Sequence, residues 1–125
     1  KFEEAETLLV KCSGAFPNSA LIHNNLAMIY INQKKNDLAI HHLAELIKLQ
    51  PTNAQAHYNL GMMIYKSGET EIAIDYLLAA IELNREYKNA YSALSMIYKK
   101  QGDEENSKFY KDVAEKLLPE LVSEK

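Results

Sequence analysis

A 34-residue period runs through this chain and restricts its fold more than any other feature. Pro17 and Pro51 lie one period apart, Pro119 lies two further periods on, and Arg85 fills the one place in that column without proline. Leu26, Leu60 and Leu94 form a second column, and Tyr30, Ile64 and Tyr98 a third. Ala5, Ala39 and Ala73 make a fourth, continued by the similarly small Ser107; Gly68 and Gly102 make a fifth, where the earlier unit has Lys34. Nothing is inserted or deleted, so the units read 20–53, 54–87 and 88–121. A strict period of this length marks a stack of equivalent supersecondary units, each packing mainly on its neighbours.

Within a unit the apolar spacing is helical. Residues 54–67 place Ala56, Leu60, Met63 and Ile64 on one face at steps of three and four, with Gly68 following where a helix C-terminus ends. Residues 70–83 repeat the pattern with Ile72, Ala73, Tyr76, Leu77 and Ala80. No segment alternates with period two, so strands are not expected and each unit reads as a helical hairpin. Small residues let the two helices approach: Ala27, Gly61 and Ser95 lie midway along the first, and Ala39, Ala73 and Ser107 open the second. Gly61 costs about 1 kcal/mol of helix propensity relative to alanine, which close packing must offset.

Composition narrows the function classes. With 47% apolar and 25% charged residues the chain can build a core, and no stretch approaches the roughly 20 apolar residues of a membrane span. The 14 basic and 17 acidic residues leave a net charge of −3, unlike the basic stripe of a nucleic-acid binder. Cys12 is the sole cysteine, and the start of the chain has no charged segment leading into an apolar run. A reducing, cytoplasmic setting is the expectation from both features.

These columns resemble the tetratricopeptide repeat, whose 34-residue motif runs aromatic, Leu-Gly, Tyr, Gly, Ala, aromatic or Leu, Ala, Pro. The central unit carries His57, Leu60-Gly61, Ile64, Gly68, Ala73, Leu77 and Ala80. Its neighbours carry His23, Leu26-Ala27, Tyr30, Ala39, Leu43 and Pro51, then Tyr91, Leu94-Ser95, Tyr98, Gly102, Ala114 and Pro119. The resemblance covers essentially the whole chain and implies an all-α, right-handed superhelical solenoid of antiparallel helix pairs, about three and a half repeats in one domain.

Both ends depart from a whole repeat. Phe2, Ala5, Leu9, Cys12 and Pro17 fall in the second-helix columns, so residues 1–19 read as the back half of a repeat belonging to a longer protein. Cys12 aligns with Leu46, Ala80 and Ala114 and is expected to be a small buried thiol. Ile40, Leu43 and Ile47, then Ile74, Leu77 and Ile81, should meet the next repeat, but the third repeat has Lys108, Lys111 and Glu115 there. That polar face suits a terminal repeat, so the array is expected to end near residue 118, with 119–125 as a cap or tail.

In this family the first helices line a concave groove, and the resemblance points to Leu21, Asn24, Asn25, Met28, Ile31 and Asn32, then Gln55, Tyr58, Asn59, Met62, Tyr65 and Lys66. In the third repeat it points to Asn89, Ser92, Ala93, Met96, Lys99 and Lys100. Met28, Met62 and Met96 recur once per period, as do Asn25 and Asn59. Asparagine offers a donor and an acceptor to a peptide backbone, and unbranched methionine adapts to varied apolar groups. The first helices hold no Asp or Glu and four lysines, Lys66, Lys88, Lys99 and Lys100, so an acidic peptide would be steered toward the third repeat.

Members that clamp the C-terminal carboxylate of cytosolic chaperones use Lys and Asn in one repeat, Asn in the next, then Lys and Arg. Here the positions hold Asn24, Met28, Asn59, Asn89 and Ala93, and only Asn59 matches, so that role is not expected. No catalytic residues, metal ligands or cofactor are expected either. His41 and His42 project about 100° apart on one helix and read as surface residues, while His23 and His57 sit in a packing column. Two functions remain: a scaffold holding an extended peptide or helix of a partner protein, or a segment that self-associates through residues 1–19.

Overall fold

The computed structural model describes residues 2–117; the cap or tail expected at 119–125 lies outside them. Among the described residues there are seven helices: α1 (Phe2–Ala15), α2 (Ala20–Asn32), α3 (Asn36–Leu49), α4 (Ala54–Lys66), α5 (Thr70–Leu83), α6 (Lys88–Lys100) and α7 (Glu104–Lys116). They form an all-α solenoid in which α2 pairs with α3, α4 with α5 and α6 with α7, while α1 packs on α2.

Local chemistry sets the helix limits. Ser19 Oγ accepts from the Ile22 amide, Asn53 Oδ1 from Ala56 and Asp103 Oδ1 from Asn106, each satisfying a first-turn N–H that has no partner within its helix. The first helices end in left-handed residues at the same register: Lys34 at φ 61°, Gly68 at 99° and Gly102 at 82°. The lysine therefore makes the same turn as the glycines, at a Cβ strain they avoid.

The core follows the columns. Leu26, Leu43, Leu77 and Leu94 are fully buried, and each contributes about 1.5–3 kcal/mol of apolar burial. One cluster joins Leu26, Ala27, Tyr30, Leu43 and Leu46 to Ala56, Leu60 and Met63, fusing the first repeat to the second. Another joins Leu77 to Ala93, Leu94 and Ile97, fusing the second to the third. A Cβ built on Gly61 would meet Leu77 Cγ at 3.1 Å and the Ala73 carbonyl oxygen at 3.2 Å, which is why glycine is tolerated mid-helix. In the third repeat Ser95 Oγ donates to the Ser107 carbonyl over 2.8 Å, so the two serines close the hairpin with a hydrogen bond as well as by their size.

Four expectations change. Ile72, placed on the packing face, is 46% exposed, because the buried stripe of α5 runs through Ala73, Leu77 and Ala80 instead. Ala5 is exposed and Cys12 only half-buried, since α1 packs chiefly against α2. Leu9 packs onto the core from α1. His42, read as a surface residue, is buried, and its Nδ1 lies 3.0 Å from His23 Nδ1. Lys108, Lys111 and Glu115 are exposed, in contrast to the buried Leu43 and Leu77 and the half-buried Ile40 and Ile74.

Candidate functional site

The first helices α2, α4 and α6 each divide their surface between the stack and solvent. Toward the stack go Leu26 and Ala27, Leu60 and Gly61, and Leu94 and Ile97. Toward solvent go polar side chains: Asn32, Lys66 and Lys100 at one register, Gln55 and Asn89 at another, and Asn25, Ser92 and Lys99 singly. Asn24 and Asn59 are half-buried, and Leu21 is 69% exposed at the start of α2. Asn25, Asn59 and Ala93 share a column but not an environment, because Ala93 is buried against the preceding repeat.

The methionine ladder is divided in the same way. Met28 packs against the first cluster, and Met62 packs with Tyr58 and Tyr65 against Ala93, Leu94 and Ile97 of α6. Only Met96 is open, at 39% exposure. Met28 and Met62 thus join successive first helices and offer at most an edge to a ligand.

Two features escaped the columns. Tyr87 precedes α6, and its ring lies 5.1 Å from that of Tyr58. Burial, then the Tyr58 phenol, pushes its hydroxyl up to about 12, while burial raises Tyr58 as well, so both phenols are neutral donors across the physiological range. The two tyrosines occupy different columns of one repeat and carry no periodic signal, so only the fold brings them together. The second feature is an open cleft of about 790 Å³ between α6 and α7, lined among others by Lys88, Met96 and Lys99, with Lys108, Lys111 and Glu115 opposite. The matching register was legible, since Lys88 aligns with Ala20 and Ala54.

This cleft makes the third-repeat end less basic than α6 alone. Its four lysines face Glu104, Asp112 and Glu115, and Lys108 pairs with Asp112 at 3.2 Å. Such an exposed pair is worth about 0–1 kcal/mol and leaves Lys88, Lys99 and Lys111 to attract an acid. Among the described residues no group of three or more His, Cys, Asp or Glu side chains converges as a metal site. None of the described helices is long and apolar enough to cross a membrane.

A tetratricopeptide repeat family model matches residues 24–90, more than half of the chain, and a second tetratricopeptide repeat model matches residues 89–110. The chain belongs to the tetratricopeptide repeat family. No curated protein matches it. It is similar to a crystal structure of MamA, with 29% identity and a TM-score of 0.86 over 90% of this chain and 66% of that one. It is also similar in fold to MamA from Desulfovibrio magneticus RS-1, with 20% identity and a TM-score of 0.87 over 93% of this chain and 66% of that one. The chain thus spans just under two thirds of the length of each structure. Tetratricopeptide repeats act in general as protein-interaction scaffolds, and the chain has that architecture throughout the matched region.

Proposed function

We propose that the chain binds an extended peptide or a helix of a partner protein along the open faces of α2, α4 and α6. The observation that carries this reading is the column arrangement on those helices. Gln55 and Asn89 are exposed in one column and Asn32, Lys66 and Lys100 in another, Asn25 and Ser92 add exposed polar groups beside them, and no first helix holds an acid. Donors and acceptors one period apart suit a peptide backbone, and Tyr58 and Met96 add apolar contact. Lys99 and Lys100 at the end of α6, with Lys88 and Lys111 nearby, favour an acidic segment there.

Capture of partners from a lysate by the intact protein and by an Asn25→Ala/Asn59→Ala variant tests this reading, with partners identified by mass spectrometry. Binding should weaken at least tenfold in the variant while its thermal midpoint stays within a few degrees. Equal capture by both proteins would sink the groove.

A second reading, self-association through α1, is favoured by Leu8 and Phe16, each 63% exposed, and Val10 at 47%. Light scattering distinguishes it: a concentration-dependent dimer abolished by Leu8→Glu supports assembly, and a monomer at all concentrations removes it. Leu9 is unsuitable for that substitution because it packs on the core.

A further inference from the structure

One slot recurs in every repeat and is filled differently each time. His23 faces His42 in the first repeat, His57 faces Tyr76 in the second, and Tyr91 faces Tyr110 in the third, with ring centroids 5.2, 6.2 and 6.3 Å apart. A third ring stacks on the second member in two of them: Tyr30 on His42 at 5.6 Å, and Tyr98 on Tyr110 at 5.7 Å. The slot is structural in all three repeats, but only in the first are both facing groups titratable near neutral pH.

The hydrogen bonds fix where the protons lie. His23 Nε2 is 2.8 Å from the Pro17 carbonyl oxygen, which only accepts, so Nε2 carries a hydrogen. In the neutral ring His23 Nδ1 is then bare and accepts from His42 Nδ1–H across 3.0 Å. The pair has room for one hydrogen between its facing nitrogens. A proton added to His23 sets two N–H groups against each other, and one added to His42 Nε2 creates a cation inside the slot, where His23 and His42 are 4% and 8% exposed.

Little surrounds the slot to stabilise that charge. On α3, His41 opposes protonation of His42 and Glu45 favours it. On α2, Tyr30 lies under the His42 ring, with Lys35 Nζ 5.9 Å from the Tyr30 centroid. From α1 come Glu6, whose carboxylate accepts from Gln33, and the half-buried Cys12 thiol. The turn between α1 and α2 carries no charge. On α4 the titratable groups are His57, bonded to the Asn53 carbonyl, the half-buried Tyr58 and Tyr65, and the exposed Lys66. Burial first, then His41 and His23, pulls His42 down to about 4.

We propose that the His23–His42 pair is a proton-operated latch, which holds α1 and the Phe16–Asn18 turn against the α2–α3 hairpin at neutral pH and releases them in acid. The hydrogen bond from His23 Nε2 to the Pro17 carbonyl ties this turn to the slot, so a change in the pair's protonation acts on the turn directly. The turn is easy to lift, because α1 packs chiefly on α2 and less closely than α7 packs on α6.

Hydrogen exchange on the full chain, corrected for intrinsic rates, tests the latch. Between pH 7 and pH 5 the protection of α1 and turn amides should fall roughly twentyfold, while that of α6 and α7 changes less than about threefold. His23→Tyr/His42→Tyr, which copies the third repeat's slot, should abolish the difference, and His42→Tyr, which copies the second, should reduce it. Should the double variant not fold, the single variant decides. A uniform fall along the chain, no fall at all, or an unchanged fall in the variants would overturn the latch, as would an NMR titration placing His42 at or above 6.5.

Discussion

The Tyr91 hydroxyl donates to the Arg85 carbonyl over 2.9 Å, and two repeats earlier the His23 imidazole makes the same bond to Pro17. In the first and third repeats the first wedge residue thus anchors the preceding turn, with proline there or without it, whereas His57 bonds the Asn53 carbonyl instead. Tyr91→Phe keeps the buried ring and removes only the bond. Because Arg85 is exposed, water can replace the lost donor, so the cost should be at the low end, about 0.5–1.5 kcal/mol. Urea denaturation should show a lower midpoint with an unchanged slope.

Gly61 and Gly14 are both helical glycines, and alanine should affect them in opposite directions. At Gly14 an added Cβ meets nothing within 4 Å, so Gly14→Ala should stabilise by about 0.5–1 kcal/mol. At Gly61 the Cβ would lie 3.2 Å from the Ala73 backbone oxygen, which cannot move without shifting α5. Overpacking of about 1–3 kcal/mol outweighs a propensity gain of about 1, so Gly61→Ala should lower the thermal midpoint.

Lys34 holds φ at 61°, in the register where the later repeats have glycine. Left-handed backbone costs a non-glycine residue about 1–2 kcal/mol, partly offset by the greater unfolded-state freedom of glycine. Lys34→Gly should therefore raise stability by about 0.5–1 kcal/mol in calorimetry. Gly102→Ala should lower it.

Acid should weaken the fold through His42. Its folded pKa, about 4, lies below the unfolded value of 6.5, so the unfolded chain binds more protons between them. This contribution is fully present above pH 6.5 and is lost as pH falls toward 4, by at most roughly 3 kcal/mol. Chemical denaturation from pH 7 to pH 4 should show a loss that is smaller in His42→Tyr.

Much of the fold was legible because packing repeats with the period. Leu26, Leu60 and Leu94 sit in one column and are all buried, and the helical span 54–67 differs from α4 by one residue at the C-terminal end. Columns failed where the neighbour differs between repeats. Ala5 shares a column with Ala39 and Ala73 yet is exposed, and Met96 is open while Met62 packs against α6.

Of the first-helix columns, the positions were legible but how each divides between the stack and solvent was not. Asn25 and Ala93 occupy equivalent positions, one exposed and one buried, because burial depends on which helix lies alongside. The pairing of Tyr58 with Tyr87 left no trace in the sequence at all.

The sequence by itself determined the helix period, the hairpin unit, the core columns and the family, since each follows from side-chain type at fixed spacing. Only the tertiary structure decided that His42 turns inward to meet His23, that Tyr87 meets Tyr58, and that an open cleft lies between α6 and α7. The physical reason is that spacing specifies a face, whereas burial and protonation depend on the groups brought against that face by chain segments distant in sequence.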